Sequence, residues 1–376
     1  MIAATDQFMR DAGRGSERLR GSPLVSVVIP SYNRGDLIGQ TLDSLLAQTY
    51  ANWEAVVVDD HSTDASAAVL EKRSATEPRI RWWLRKSAKA GAPACRNEGF
   101  RASRGEFVIF LDSDDLLEPT CLEHRVAVMQ AHPSAGYAVF PSAVFRDRPW
   151  DTGIFWNAFD DGNDLDRFLL ADIPWQTTGP IWRREAVEAV GPWDEEAKRW
   201  QDWEFHVRAL ARRIPYVKVP LPDCHWRQSR VGSISDSEMK PQAFDSHDVI
   251  MPKVAKALDQ AGLLKGDRRQ MLAALMLFTA QQCALLGRDR ERALNLWRAA
   301  RRAKLCNAAA YAAGRTYLRR LGTPTGGRIR RWILPPLLPY LGRVADSPTR
   351  CSTRSPLVGS VPLSILPASA AVVTPN

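Results

Sequence analysis

The stretch LVSVVIPSYNRGDLIGQTLDSLL, residues 24–46, changes its apolar period midway. LVSVVIP (Leu24–Pro30) is a continuous apolar run that reads as a buried strand, and Leu37, Leu42, Leu45 and Leu46 then recur at helical spacing. The unit repeats. WEAVVVDD (Trp53–Asp60) reads as a strand ending in two carboxylates, 62–74 as a helix, RIRWWL (Arg79–Leu84) as a third strand, 93–103 as a helix and EFVIFLD (Glu106–Asp112) as a fourth strand. Strands alternating with helices imply an α/β fold with a mostly parallel sheet flanked by helices. In such sheets ligands bind beyond the carboxyl ends of the strands. Ser31–Asn33, Asp59–Asp60 and Asp112–Asp115 all fall there, so polar groups converge on one edge.

Further along, 118–132 reads as a helix and GYAVFPSAVF (Gly136–Phe145) as one strand, followed by a Trp- and Asp-rich segment from Trp150 to Trp203. QDWEFHVRALARR (Gln201–Arg213) reads as a helix, IPYVKVP (Ile214–Pro220) as a strand and HWRQSRVGSIS (His225–Ser235) as a polar loop. Beyond Phe244 the β signals stop, and 268–286 and 290–305 form a helical hairpin about the turn 287–289. The expected organisation is a flexible tail (1–22), two halves of one α/β domain (23–130 and 131–245), a helical extension (246–322), and a basic, apolar segment running into a disordered tail (323–376).

The 376 residues are 45% apolar, which excludes disorder as the main state. The net charge of +9 is unevenly spread. Residues 251–343 hold 19 Lys+Arg against 4 Asp+Glu, a formal +15, which leaves −6 on the rest. The six cysteines are far apart, with no CxxC and no Cys/His cluster for zinc, and are expected to be reduced and buried. The first 22 residues lack the apolar core of a signal peptide, which points to the cytoplasm. For a membrane span, 271–287 is short and carries Gln281 and Gln282, and 355–376 is broken by Pro and Ser.

Asp112, Ser113, Asp114 and Asp115 end an apolar strand, where clustered carboxylates repel one another unless a cation sits between them. Hard oxygen ligands favour Mg²⁺ or Mn²⁺. The alternative is an acidic loop in which one of them caps the next helix.

Six segments in order, VSVVIPSYNR, VVVDDHSTD, ACRNEGF, GEFVIFLDSDD, GPWDE and QDWEF, resemble the family 2 glycosyltransferases of the GT-A fold over about Pro23 to Ser235. The resemblance implies an inverting transferase that moves a sugar from a nucleotide diphosphate donor to an acceptor hydroxyl, a divalent cation (Mn²⁺ or Mg²⁺) bridging the diphosphate. By the same resemblance Pro30, Tyr32 and Asp60 border the nucleotide, most simply uridine. Arg96 lies near the diphosphate, Asp112 and Ser113 near ribose or metal, and Asp114 binds the metal with Asp112. Asp202 is the catalytic base, with Glu204 in reserve; Gln201 stands where the family usually has Glu. His225 is a candidate to complete the metal shell or contact phosphate, or an ordinary packing histidine; Arg227 lies in the same polar loop.

The set Trp150, Trp156, Trp175, Trp182, Trp193, Trp200 and Trp203 is read mainly as core, with one or two free to face a sugar, Trp193 and Trp203 being nearest Asp202 in sequence. The loop PSYNRGD lacks the Gly-rich basic pattern of a nucleotidyltransferase, and neither GxxxxGK[ST] nor GxGxxG occurs. A rival reading is a non-catalytic scaffold acting through the basic C-terminal region on membrane or nucleic acid. Of those two, membrane suits better the apolar patch Trp332–Leu334, Leu337, Leu338, Tyr340 and Leu341, flanked by Arg328, Arg330, Arg331 and Arg343. The segment 328–343 is expected either to touch the anionic inner membrane face, where a glycan or lipid-linked acceptor would lie, or to pack on its own domain. Nucleic acid is not an expected partner.

Overall fold

The computed structural model describes residues 21–157, 162–228, 246–286, 289–321, 337–345 and 371–373. In chain order the elements are β1 (Val25–Ser31), α1 (Ile38–Leu46), β2 (Trp53–Asp59), α2 (Ser66–Thr76), β3 (Ile80–Leu84), α3 (Ala92–Ala102), β4 (Phe107–Phe110), β5 (Leu116–Leu117), α4 (Cys121–Ala131), β6 (Tyr137–Val139), β7 (Ser142–Phe145) and β8 (Ile154–Phe155). Then follow α5 (Asp164–Leu169), β9 (Pro180–Arg183), α6 (Arg184–Val190), α7 (Gln201–Ala211), β10 (Tyr216–Lys218), β11 (Cys224–Arg227), α8 (His247–Gln260), α9 (Asp267–Leu285), α10 (Arg290–Arg302), α11 (Ala308–Arg319), α12 (Leu338–Ala345) and β12 (Ala371–Val373).

The main sheet runs β12-β10-β6-β9-β4-β1-β2-β3. β1 pairs in parallel with both β2 and β4, Val28 lying opposite Val56 on one side and Phe110 on the other. Chain connections leave β1 in both directions, so a crevice opens beyond its carboxyl end. Alternation along the strands feeds two cores: Val25, Val27 and Ile29 enter one, and Val28, Val108 and Phe110 the other. Helix α3 lies close against β1, where Gly99 is needed, because a Cβ there would meet Val28 Cγ1 at 2.6 Å.

The run GYAVFPSAVF is two strands in two sheets. β6 pairs with β9, and β7 pairs with β11 in a second sheet ordered β5-β11-β7-β8. Pro141, with no N–H to donate, stands at the break. Residues 225–227, expected as the start of a polar loop, instead belong to β11, between β5 and β7. Four residues are too few to show a period, and long-range partners supply the ladder. The same holds for Ala371–Val373 in the predicted disordered tail, which pairs antiparallel with β10.

The predicted hairpin is present as α9 and α10, joined by α8, α11 and α12 in one apolar cluster with α5, α7 and the main sheet. α9 buries Leu272 through Leu277 and Ala280, which explains its apolar content. No described helix is long and apolar enough to cross a membrane. Leu337, Leu341 and Val344 are buried in the same cluster, so these leucines belong to the core; Arg343 is exposed, and 328–336 lies outside the described residues. The expected tails, apart from 21–22 and 371–373, lie outside them as well. Cys95, Cys121, Cys224, Cys283 and Cys306 are free and buried; Cys351 is outside the described residues.

His206 on α7 is 1% exposed among Phe168, Trp175 and Trp182, and burial, with the charge of Arg96 adding to it, pushes its pKa down to about 3. The unfolded chain binds a proton near pH 6.5 that folded His206 refuses. This residue's contribution is therefore complete above pH 6.5 and is lost as pH falls towards 3, at up to about 1.4 kcal/mol per unit. Urea unfolding between about pH 6 and 4 should show a shallower acid slope in His206→Leu than in wild type.

Candidate functional site

The two carboxylates that end β2 take different jobs. Asp59 is fully buried and accepts from Ser62 N and Oγ, both at 2.7 Å, so it closes the turn into α2. Asp60 instead faces the rim, pairing with Arg85 and accepting from Gly91 N at 2.8 Å. The loop after β1 is stitched to it. Ser31 O accepts from Asp60 N (2.7 Å), Asn33 Oδ1 from Thr63 N (2.8 Å) and Ser66 Oγ from Arg34 N (2.8 Å). Pro30 is buried opposite Val58, Ser31 Oγ is buried without a hydrogen-bond partner among the described residues, and Tyr32 projects, 55% exposed.

Across the crevice the acidic run after β4 is resolved residue by residue. Asp112 Oδ1 accepts from Arg96 Nη2 at 2.6 Å, and Asp114 Oδ2 lies 3.3 Å from Arg34 Nε. Asp115 is buried, accepting from Thr178 Oγ1 (2.8 Å) and Arg227 N (3.0 Å), so it holds β11 in place. Arg227 in turn donates to Asp114 O at 2.7 Å and Gln40 Oε1 at 2.9 Å. Ser113 is buried between them. Burial first, and the Asp112 charge second, raise the carboxyl of Asp114 above its usual range.

Arg96, 4% exposed on α3, reaches both sides. Besides Asp112 it donates from Nη1 to Gln201 Oε1 at 2.8 Å, and its guanidinium lies 4.6 Å from the centre of the Trp193 ring. Its neighbour Asn97 clamps Trp193, donating to its carbonyl and accepting from its N–H. Gln201 opens α7 after Trp200, whose φ of 54° turns the chain. Asp202 follows, its carboxylate accepting from Trp203 N at 2.9 Å. Burial raises its carboxyl and Asp112 adds to the rise, opposed by the Trp203 N–H and Arg96. A carboxylate so raised is a better proton acceptor than an ordinary surface aspartate.

Glu204 is buried and bound twice by Arg208, at 2.8 and 2.9 Å, so it ties the helix to itself. Trp193 and Trp203 are 3% and 0% exposed and are core residues rather than sugar platforms. Trp150 is 38% exposed, and Trp156 meets Trp226 edge-on at 4.7 Å. His225 is buried with Nε2 2.5 Å from Glu118 Oε1, and Trp150 Nε1 donates to the same oxygen at 2.6 Å. Among the described residues no three His, Cys, Asp or Glu side chains are grouped to hold a metal. Two carboxylates, Asp112 and Asp114, still fit a hard cation that takes its remaining ligands from water and substrate phosphate. The motif reading does not single out Arg34, Arg85 or Gln40. The basic residue inside PSYNRGD was the available signal for Arg34; Arg85 and Gln40 gave none.

Residues 26–191 match the family described as glycosyl transferase family 2. The chain is 32% identical over 247 residues to uncharacterized protein y4gI of Sinorhizobium fredii, covering 62% of this chain and 26% of that protein. It is 41% identical over 107 residues to the Escherichia coli UDP-Glc:alpha-D-GlcNAc-diphosphoundecaprenol beta-1,3-glucosyltransferase WfgD, covering 28% of this chain and 41% of WfgD. The chain thus spans well under two thirds of both relatives. In fold it is similar to Staphylococcus aureus TarS 1–349, solved with UDP-GlcNAc, with a TM-score of 0.59 at 19% identity, covering 88% of this chain and 92% of that one.

Beneath Asp115 lies a fully buried ion pair. Arg125 on α4 donates to both oxygens of Asp223 at 2.8 and 2.6 Å and to Thr178 O at 2.9 Å, joining α4, the Thr178 loop and the start of β11. Asp223→Ala would strand that charge and should cost about 3–5 kcal/mol in denaturant unfolding. Lys253→Ala, which breaks a half-exposed pair with Asp194 and Glu196, should cost under about 1 kcal/mol.

Proposed function

From the match of residues 26–191 to glycosyl transferase family 2, we propose that this chain moves a sugar from a UDP-linked donor to an acceptor hydroxyl with inversion, using Mn²⁺ or Mg²⁺. The observation that carries the reading is the Arg96 bridge. One buried guanidinium holds Asp112, at the donor edge, and Gln201, next to Asp202, so the nucleotide side and the proton acceptor share one fixed frame. In this reading Tyr32 and Asp60 border the base, with Pro30 and Ser31 shaping the same loop. Asp112 and Asp114 would hold the cation, which when bound offsets charge on the departing diphosphate.

Asp202 then takes the acceptor proton as the hydroxyl oxygen attacks the anomeric carbon from the face opposite the leaving UDP. The new glycosidic bond forms as the old one breaks, and the proton ends on the carboxylate. The donor nucleotide and a lipid-linked acceptor are suggested by the name of WfgD, whose acceptor is a diphosphoundecaprenol-linked sugar. That chemistry fits surface-polysaccharide synthesis at the cytoplasmic face of a membrane.

Calorimetric titration with UDP, GDP and dTDP, each with and without Mn²⁺, tests the donor site. Metal-dependent binding of UDP alone, lost in Asp114→Ala, is the expected result; failure of all three nucleotides to bind defeats the reading. Asp202→Asn should keep UDP binding while lowering turnover by about 10²-fold or more, the scale of general-base loss.

A further inference from the structure

The strongest uncompensated charge in the described chain is on α10 and α11, away from the crevice. Exposed Arg290, Arg298, Arg301 and Arg302 lie on α10, Lys304 follows it, and Arg315 and Arg319 are exposed on α11. α10 carries one acidic residue, Glu291, and α11 none. No described carboxylate forms an ion pair with Arg298, Arg301, Arg302, Arg315 or Arg319; Arg298 reaches only Asn295, and Arg301 the Cys306 carbonyl.

These cations share one surface. α10 buries Ala293, Leu296, Trp297 and Ala300, α11 buries Ala313, Gly314, Tyr317 and Leu318, and both pack on α9. Arg290 donates to Leu321 O at 3.3 Å, so the end of α11 lies beside the start of α10 and the two helices run antiparallel. With both buried faces turned to α9 and to each other, the exposed arginines point outward together along the length of each helix. The result is a broad basic plane about 20 Å long.

We propose that this α10–α11 face docks on the phosphate headgroups of an anionic bilayer. Guanidinium groups take phosphate oxygens in pairs, and a flat array of them matches a plane of headgroups. The remainder of the chain outside 251–343 carries −6, so the charge asymmetry of the molecule favours this face over the rest of the surface for approach to the headgroups. Nucleic acid is the weaker match. Single strands want exposed aromatic platforms, and Trp297 and Tyr317 of these helices are buried. The inference rests on the lipid-linked acceptor reading for its purpose, because such an acceptor is found only at a bilayer.

The test is co-sedimentation of the full chain with neutral phosphatidylcholine vesicles and with vesicles holding about 30% phosphatidylglycerol. Arg298→Glu with Arg319→Glu should weaken binding to the anionic vesicles by about tenfold or more. Lys72→Glu with Arg101→Glu, an equal change of net charge on exposed α2 and α3 positions, should leave it within about twofold. Arg298→Gln with Arg319→Gln gives a milder variant, and thermal unfolding of each shows that the fold is kept. Equal loss in both pairs, no loss in either, no binding by wild type, or tighter binding to a DNA duplex than to vesicles would overturn the proposal. UDP titration of the same variants separates the two ideas: intact UDP binding with failed sedimentation sinks only the docking face, and the converse sinks only the transferase reading.

Discussion

Four residues after β4, three of them acidic, set the central constraint. Like charges in one turn at the edge of a low-dielectric sheet raise each other's protonation energy, so each carboxylate must find its own partner. Arg96 answers Asp112, Arg34 lies beside Asp114, and Thr178 with the backbone of Arg227 answers Asp115. Those partners come from α3, from the loop after β1, from the segment before β9 and from β11. Satisfying one short acidic run therefore fixes the relative positions of four remote stretches.

The C-terminal helices extend this frame. α8 packs on α7, and His247 on α8 meets Trp200 edge-on at 4.8 Å, at the turn that starts the Asp202 helix. Lys253 on α8 pairs with Asp194 and Glu196, beside the Trp193 that Arg96 and Asn97 hold. The extension therefore buttresses the helix carrying the proposed base. It also keeps its own arginines on an outer face, because the apolar sides of α10 and α11 are used against α9.

Much of the site was legible because strand ends are a local property. An apolar run followed by polar residues marks where a side chain leaves the sheet, and Tyr32, Asp60, Asp112 and Asp114 all stand at such points. The clamp role of Glu204 was not legible, nor was which of the tryptophans near Asp202 lie in the core, since an acidic or indole side chain next to a candidate residue gives the same pattern whether it faces solvent or core.

The sequence by itself determined the βα alternation, the central parallel strands and the edge on which the acidic groups gather, because periodicity is written within a few neighbouring residues. Only the tertiary structure decided that Asp59 closes a turn while Asp60 faces the rim, that GYAVFPSAVF changes sheets at Pro141, and that Arg96 joins Asp112 to Gln201. It likewise decided that Ala371–Val373 completes the edge beside β10. Each of those outcomes is a choice of partner across long stretches of chain, made by distance, burial and charge that no local pattern records.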